Sequence, residues 1–269
     1  MLIAVFTKAQ ENSENVQTNQ YSNKGKLYIY WGWNKSAYSN SDIYFKGNNY
    51  DFTIHNVVGV DRQSPISSDY INPKSITIPQ YNFRIGYYFN DKYSISIGND
   101  HMKYVMKNGQ RKQIDGYIKN SGGKYDKVYE YEEIELSQDF LMFEHTDGLN
   151  YENIDIRMHE RIKQFSNFTV DAFVGLGAGI SFPRTNVTFL EGKRYDEFNV
   201  AGYGVNALLG GNLTYKGWLF VQVETKGGYI DMPNIRVSYD KSEYAQQHFS
   251  FFQYNIVFGA NIKLTKMAN

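Results

Sequence analysis

Carboxylates and imidazoles stand close together in two stretches of this 269-residue sequence. Asp100 and His101 occupy the first stretch, and Glu144, His145 and Asp147 occupy the second. Such groups can bind a divalent cation or transfer protons when they converge. If the two stretches end neighbouring strands, we expect these five residues to cluster at one rim of the protein. A polar strand end followed by a turn is the plainer interpretation. The spacing carries no metal-ligand signature, so we expect neither a metal nor a cofactor.

A second pair of residues that could carry out chemistry is His248 and Ser250. They would share one face of a strand because they are two residues apart. A histidine base beside a serine nucleophile is the chemistry of hydrolases. The pair resembles the His-x-Ser element of outer-membrane lipid A deacylases, and this resemblance implies a lipid-modifying enzyme of the outer leaflet. In that family an Asn follows the Ser and a Glu lies further along the strand, where this sequence has Phe251 and Ile262. Since the orienting acid is missing, two interfacial residues in a strand are the alternative interpretation.

Alternation of apolar residues with small or polar ones predicts the strands that would position these groups. Between residues 81 and 89, one face is Tyr81, Phe83, Ile85, Tyr87 and Phe89, and the other begins with Asn82 and Arg84. Eight such segments are predicted, at about 26–34, 81–89, 93–106, 149–163, 168–182, 198–214, 217–229 and 249–264. Short turns join some of them, and long connections join the others, at about 35–80, 107–148, 183–197 and 230–248. Short periplasmic turns and long extracellular loops are typical of outer-membrane barrels. The pattern therefore predicts an all-β, transmembrane, antiparallel up-and-down barrel of about eight strands.

The two faces of these strands differ in a way that indicates which one meets lipid. One face is apolar and free of charge, whereas the other carries glycines and the ionisable residues Arg84, Asp155, Arg157, His159, Asp171, Glu224 and Lys226. A soluble barrel with its apolar face inside, such as a lipocalin, would place Lys, Glu and Thr on the polar face instead of glycine. Eight strands enclose a space that side chains fill. We therefore expect an interlocked polar network inside, with a proton or ion path as the alternative.

Composition excludes several other classes of protein. The 28 basic and 28 acidic residues balance, so nothing indicates a nucleic-acid partner. Cysteine is absent, which excludes disulfides. Residues 1–10 are predicted to be the remnant of a signal peptide and residues 11–25 a periplasmic lead-in. Residues 26–265 are predicted to form a single barrel domain.

Three stretches carry a family resemblance: Gly25–Asn34, Asp100–Val105 and Glu144–Tyr151. They resemble an uncharacterised family of small outer-membrane barrels from Bacteroidota, of the OmpA/OmpX type. The resemblance implies an eight-stranded barrel in the bacterial outer membrane. It implies no reaction and no site residues.

The long connections are the segments most expected to carry function, because loops of this length are usually binding surfaces. Within the first, residues 42–46 and 50–54 are predicted to form a hairpin. We expect a structural protein or one that binds a partner or ligand through its extracellular loops. Outer-membrane lipids, an extracellular ligand or an envelope protein are the expected partners. The alternative is the outer-leaflet enzyme described above, and a protein without catalytic activity is the favoured interpretation.

Overall fold

The computed structural model describes residues 21–264, except for residues 66, 71, 73, 75–78 and 191. The predicted signal-peptide remnant, most of the lead-in and residue 265 lie outside the described residues. In the described part of the chain, no helix has the length and apolar character needed to cross a membrane.

The described residues form seventeen strands and one 3₁₀ turn, at Ser68–Tyr70. The strands are β1 (Lys26–Tyr38), β2 (Ser41–Lys46), β3 (Tyr50–Val57), β4 (Gly59–Asp61), β5 (Tyr81–Tyr88), β6 (Tyr93–His101), β7 (Tyr104–Met106), β8 (Arg111–Ile118), β9 (Lys127–Glu135), β10 (Leu141–His145), β11 (Tyr151–Gln164), β12 (Phe168–Ser181), β13 (Arg184–Phe189), β14 (Tyr195–Phe198), β15 (Gly202–Tyr215), β16 (Leu219–Arg236) and β17 (Tyr244–Lys263).

Eight of these strands form the barrel. They pair in the order β1-β5-β6-β11-β12-β15-β16-β17, and each pairing is antiparallel. β1 also pairs with β17, from Lys26 opposite Lys263 to Tyr38 opposite Phe251, so the series of pairings returns to its first strand. This confirms the predicted up-and-down topology and the predicted number of strands.

The outer wall of the barrel is apolar and exposed. Leu176 is 70 % exposed and Phe258 is 63 % exposed, and Ile97, Ile154 and Val205 lie in the same band. A continuous apolar surface of this kind is unfavourable in water and favourable in a bilayer. The ring of strand pairings satisfies the backbone groups that lipid could not. The protein is an integral outer-membrane β-barrel.

The other nine strands form a compact unit at one end of the barrel, which we call the head. The first residues of β17, Tyr244–Gln247, leave β1 and pair with β2, and the sheet continues through β3 and β8 to β9. A second sheet has the order β14-β13-β10-β7-β4. The head has an apolar core that the extended ends of β16 and β17 help to form. Its members include Ile43, Phe45, Phe52, Ile54, Ile114, Phe140 and Phe143, with Ile235 from β16. Because short turns of such barrels lie in the periplasm, the head lies outside the cell.

The long connections were predicted as loops, and the structure corrects this. Only the hairpin was foreseen, and β2 and β3 confirm it. The predicted strand 93–106 is interrupted at Met102 and Lys103, because residues 104–106 leave the barrel and join the second sheet as β7. β16 and β17 also extend well into the predicted loop 230–248. Outside the bilayer the strands can carry polar residues on their outer face, so the lipid-facing pattern that was used to define their ends no longer applies.

At the opposite end, residues 21–26 lie beneath the barrel and contact all three short turns. We call this segment the strap. The backbone N–H of Asn23 donates to Asp91 Oδ1 at 2.5 Å, the Tyr21 hydroxyl donates to the Ser166 carbonyl at 3.1 Å, and Lys26 Nζ donates to the Gly217 carbonyl at 2.9 Å.

Candidate functional site

The barrel interior contains a balanced network of charges centred on Asp155. Its Oδ2 lies 2.8 Å from Arg84 Nη1 and 3.1 Å from Arg157 Nη2, while Lys226 Nζ is 3.7 Å away. Arg157 also reaches Glu224 Oε2 at 3.0 Å. All five side chains are buried. Three cations and two carboxylates thus meet around one point.

Asp100 supplies the third carboxylate of this network. It lies 2.5 Å from Lys226 Nζ and 3.4 Å from Arg84 Nη2, and it accepts hydrogen bonds from Asn82 and Asn153. The network therefore contains three positively charged and three negatively charged side chains. Buried charges are stable only when paired and hydrogen-bonded, and this arrangement meets that condition.

Two further predicted interior residues lie nearer the periplasmic end. His159 Nε2 is 2.8 Å from Ser94 Oγ, and Asp171 forms an ion pair with Arg161. Both His159 and Asp171 are buried. The seven residues predicted to face inward therefore all have buried, partnered side chains.

Glycines on the inner face make room for these large polar groups. A Cβ at Gly177 would overlap Asp155 Oδ1 and lie 2.8 Å from Asn206 Oδ1. The residue at position 177 must therefore lack a side chain if Asp155 is to keep its partners.

The predicted rim cluster does not assemble as one site. Asp100 points into the lumen, whereas its neighbour His101 faces the opposite side of β6 because successive side chains of a strand alternate. Glu144 accepts hydrogen bonds from Asn186 Nδ2 at 2.7 Å and Thr146 Oγ1 at 3.0 Å. His145 is fully buried in the head, where its Nδ1 lies 2.9 Å from Thr185 Oγ1. Burial lowers the pKa of His145 to about 4, so this imidazole is neutral at physiological pH. Two of the five predicted residues, His101 and Asp147, line the same cavity.

That cavity, which we call the rim cleft, has a volume of about 470 Å³ and lies on the outer wall where the barrel meets the head. Its lining is Tyr81, Asn99, His101, Lys103, Thr146, Asp147, Asn150, Glu152, Phe182, Arg184 and Phe198. These residues come from β5, β6, β11 and β14, from the start of β13, and from the segments that join the strands. The barrel wall thus forms one side of the cleft, and the head forms the other.

The rim cleft combines flat aromatic surfaces with polar groups of both signs. The Tyr81 and His101 rings stack at 4.9 Å with an interplanar angle of 8°. The Phe182 and Phe198 rings stack at 5.4 Å, and the Arg184 guanidinium lies 5.7 Å from the centre of the Phe198 ring.

Ion pairs inside the rim cleft neutralise its charge. Arg184 contacts Asp147 Oδ2 at 3.3 Å and Asp196 Oδ1 at 3.0 Å. Glu152 accepts a hydrogen bond from Asn99, and Lys103 Nζ donates to Ser64 Oγ at 3.3 Å. Half-burial lowers the pKa of Lys103, although this effect is opposed by nearby Asp147 and Asp61.

His248 and Ser250 share one face of β17, as their spacing predicted, and this face is exposed on the outside of the strand. Asp231 on β16 stands opposite His248, and Tyr229 stands opposite Ser250. Asp231 accepts a hydrogen bond from the Tyr203 hydroxyl at 3.1 Å. Among the described residues, no hydrogen bond joins the side chains of His248, Ser250 and Asp231. A carboxylate is therefore adjacent to His248, on a neighbouring strand that sequence spacing could not identify.

The head contains a second cavity, of about 260 Å³, which we call the head cavity. Five of its eleven lining residues are aromatic. Tyr50 packs edge-on against Phe189 at 4.9 Å, and Tyr195 packs edge-on against Tyr239 at 5.3 Å. Lys193 Nζ lies 4.7 Å from the centre of the Tyr239 ring. Burial, with the nearby carboxylate of Glu243, raises the pKa of Tyr50 well above its usual value.

No protein-family model and no curated protein matches the sequence. Solved structures similar to this chain include outer membrane protein OprG from Pseudomonas aeruginosa, at 11 % identity over 91 % of this chain and 99 % of that chain, with a TM-score of 0.41. Ail, the attachment invasion locus protein of Yersinia pestis, is 11 % identical over 89 % of this chain and 99 % of that one, with a TM-score of 0.35. Neisserial surface protein A is 10 % identical over 88 % of this chain and 97 % of that one, with a TM-score of 0.35. The fold is established by the strand pairing from β1 to β17 and not by these similarities.

Proposed function

We propose that this protein is a surface-binding protein of the outer membrane, in which the barrel is an anchor and the head binds an extracellular ligand or partner. The observation that carries the proposal is the head itself: four long connections fold onto one apolar core above a lumen filled with ion pairs. Long loops that fold into an ordered unit are typical of binding surfaces. The resemblance to small Bacteroidota barrels supports the same location and brings no reaction with it.

The head cavity is the part of the head best suited to hold a ligand. Its aromatic walls and the Lys193 ammonium group face an opening in which Tyr239 remains 56 % exposed. Concave, largely apolar sites with a few polar groups are the usual form of ligand sites.

Binding by the head is tested with the full chain in lipid nanodiscs, probed with a glycan array and a peptide array. We expect binding to one of the arrays, and we expect Tyr239→Ala to weaken it at least tenfold. Tyr131→Ala is the matched control, because Tyr131 is a similarly exposed aromatic residue of the head outside the cavity. If the folded wild-type protein binds neither array, or if both variants behave alike, ligand binding by this cavity is contradicted.

A second candidate, a lipid-modifying hydrolase, is favoured by one observation, the position of Asp231 opposite His248. A histidine that is oriented by a carboxylate could activate Ser250. Mass spectrometry of lipid A and phospholipids, from cells that make the wild-type protein or Ser250→Ala, tests this activity. Identical lipids in the two strains and in a strain without the protein would contradict a lipid-modifying activity.

A further inference from the structure

The rim cleft begins where the apolar band of the barrel ends. Ile97 of β6 pairs with Ile154 of β11, and both side chains are more than half exposed on the outer wall. Two residues further along, the outward pair is Asn99 and Glu152, which line the cleft. One such step along a strand is about 7 Å. The cleft therefore opens at the level where the polar heads of outer-leaflet lipids meet their acyl chains.

One ring nitrogen of a buried imidazole in the cleft has no hydrogen-bond partner among the described residues. The Asn150 amide donates to the Phe182 carbonyl at 3.2 Å, which orients its oxygen toward His101 Nδ1 at 2.7 Å. Nδ1 therefore carries the proton, and Nε2 is an acceptor. His101 is 5 % exposed, and its Nε2 has no hydrogen-bond partner among the described residues. Unpaired buried polar atoms are rare, and a hydroxyl group of a ligand would satisfy this one.

The charges of the cleft argue against a simple anion site. Lys103 and Arg184 are matched by Asp147 and Glu152, and Arg184 is already engaged by two carboxylates. What remains is a set of carboxylate, amide and imidazole groups next to flat aromatic rings. Such groups accept and donate hydrogen bonds to several hydroxyls at once, and the stacked rings offer a flat face for a sugar ring.

We propose that the rim cleft binds the saccharide head of an outer-leaflet glycolipid, whose acyl chains lie along the apolar band below. Glu152, Asp147 and His101 bind the sugar hydroxyls, and Lys103 accommodates a phosphate or carboxylate substituent. The site is separate from the head cavity, so it does not depend on the proposed function of the head.

Native mass spectrometry of the detergent-purified full chain tests the assignment with three added probes: lipid A, phosphatidylglycerol and the deacylated disaccharide of lipid A. We expect lipid A to bind more than phosphatidylglycerol, and we expect Glu152→Gln and Asp147→Asn each to lower the bound fraction at least threefold. Glu160→Gln is the matched control, since Glu160 lies on the same outer face of β11 near its periplasmic end. A shift in electrophoretic mobility on heating verifies that each variant is folded.

Equal binding of lipid A and phosphatidylglycerol would overturn the saccharide assignment. Equal binding of lipid A by Glu152→Gln and Glu160→Gln would overturn the assignment to this cleft. If the deacylated disaccharide binds as well as lipid A, the ligand is a soluble sugar and the lipid part of the proposal is wrong.

Discussion

Arg157 connects the two halves of the lumen network, because its guanidinium contacts Asp155 on its own strand and Glu224 on β16. Arg157→Ala would leave Glu224 without its cation in a buried site. Breaking a buried pair in this way costs about 3–5 kcal/mol. We expect a loss of this size in the free energy of unfolding, measured by urea titration in micelles. Lys163→Ala is the control, since Lys163 is exposed on the same strand.

A double variant separates loss of pairing from loss of packing. Arg157→Met with Glu224→Gln removes both charges and keeps similar volumes, so we expect it to be more stable than Arg157→Ala alone. If Arg157→Ala unfolds at the same urea concentration as Lys163→Ala, the network does not stabilise the barrel as described.

His145 makes the stability of the protein depend on pH. Because its pKa is about 4 in the folded chain and about 6.5 when unfolded, the unfolded state binds more protons between these values. Stability should therefore fall as the pH falls below about 6.5, by about 2 kcal/mol at pH 5. Urea titrations of the wild type and His145→Gln at pH 7.5 and pH 5 measure the difference, and the variant should lose less stability on acidification.

His55 gives a second pH effect of opposite sign. Burial lowers its pKa, but hydrogen bonds to Asp115 and Asp42 outweigh burial, so the pKa is raised. Its stabilising contribution is complete below the unfolded pKa and is lost as the pH rises through the folded value. Since His55 is present in both the wild type and His145→Gln, its contribution cancels in the comparison above. An equal pH dependence in those two proteins would show that His145 is not buried as a neutral group.

At the residue scale, the sequence predicted the strand face on which each side chain lies better than it predicted the contacts of that side chain. Alternation placed Arg84 and Asp155 inside the barrel, because a period of two leaves only two faces. The same rule separates Asp100 from His101, so no single site could contain both. The acceptor at His101 Nε2 could not be predicted from the sequence. It depends on the hydrogen bonds of Asn150 to His101 and to the Phe182 carbonyl, and Asn150 and Phe182 lie next to other strands.

The barrel strands were predictable because lipid faces one side of each strand and the lumen faces the other. The head strands lack this contrast. β10 has four buried residues out of five, and β7 has only three residues, so neither gives a period of two. Only the β2–β3 hairpin was recognised, because its central turn contains glycine and asparagine and both of its strands alternate.

Asp91 anchors the strap to one end of the barrel. Asp91 accepts hydrogen bonds from the Asn23 backbone and the Ser22 hydroxyl, so Asp91→Ala would release the strap from the turn between β5 and β6. We expect faster hydrogen exchange at residues 22–24 with unchanged exchange in β5, measured by mass spectrometry. Lys92→Ala, at the next exposed position in the turn, serves as the control. Unchanged exchange at residues 22–24 in Asp91→Ala would contradict the described anchoring.

The whole molecule should not conduct ions. Eight strands leave an interior that side chains fill, here with Arg84, Arg157, Lys226 and their carboxylates, and the apolar core of the head lies above it. In planar bilayers with KCl, we expect no stepwise current from the wild-type protein. Stable single-channel steps, from protein whose gel mobility shifts on heating, would show that the lumen is open.

The membrane location of the protein and the topology of its barrel were predictable from the sequence, whereas the rim cleft and the head cavity were not. The rim cleft draws on five separated parts of the chain, near residues 81, 101, 148, 183 and 198. Each part looks like an ordinary strand end when taken alone. Only the pairing of β6 with β11 and the packing of the head bring them together.

The lumen network also bears on how the protein is made. Arg84 and Arg157 balance Asp100 and Asp155 within the strands from β5 to β11, Arg161 balances Asp171 within the β11–β12 hairpin, and Glu224 and Lys226 balance each other on β16. Within each of these three groups, the charges that face the lumen sum to zero. Because moving net charge into a bilayer is costly, we expect this local neutrality to favour the insertion of neighbouring strands together. In the folded barrel Lys226 pairs with Asp100 and Arg157 pairs with Glu224, so the contacts that join these neutral groups form only once β16 faces β6 and β11 across one lumen.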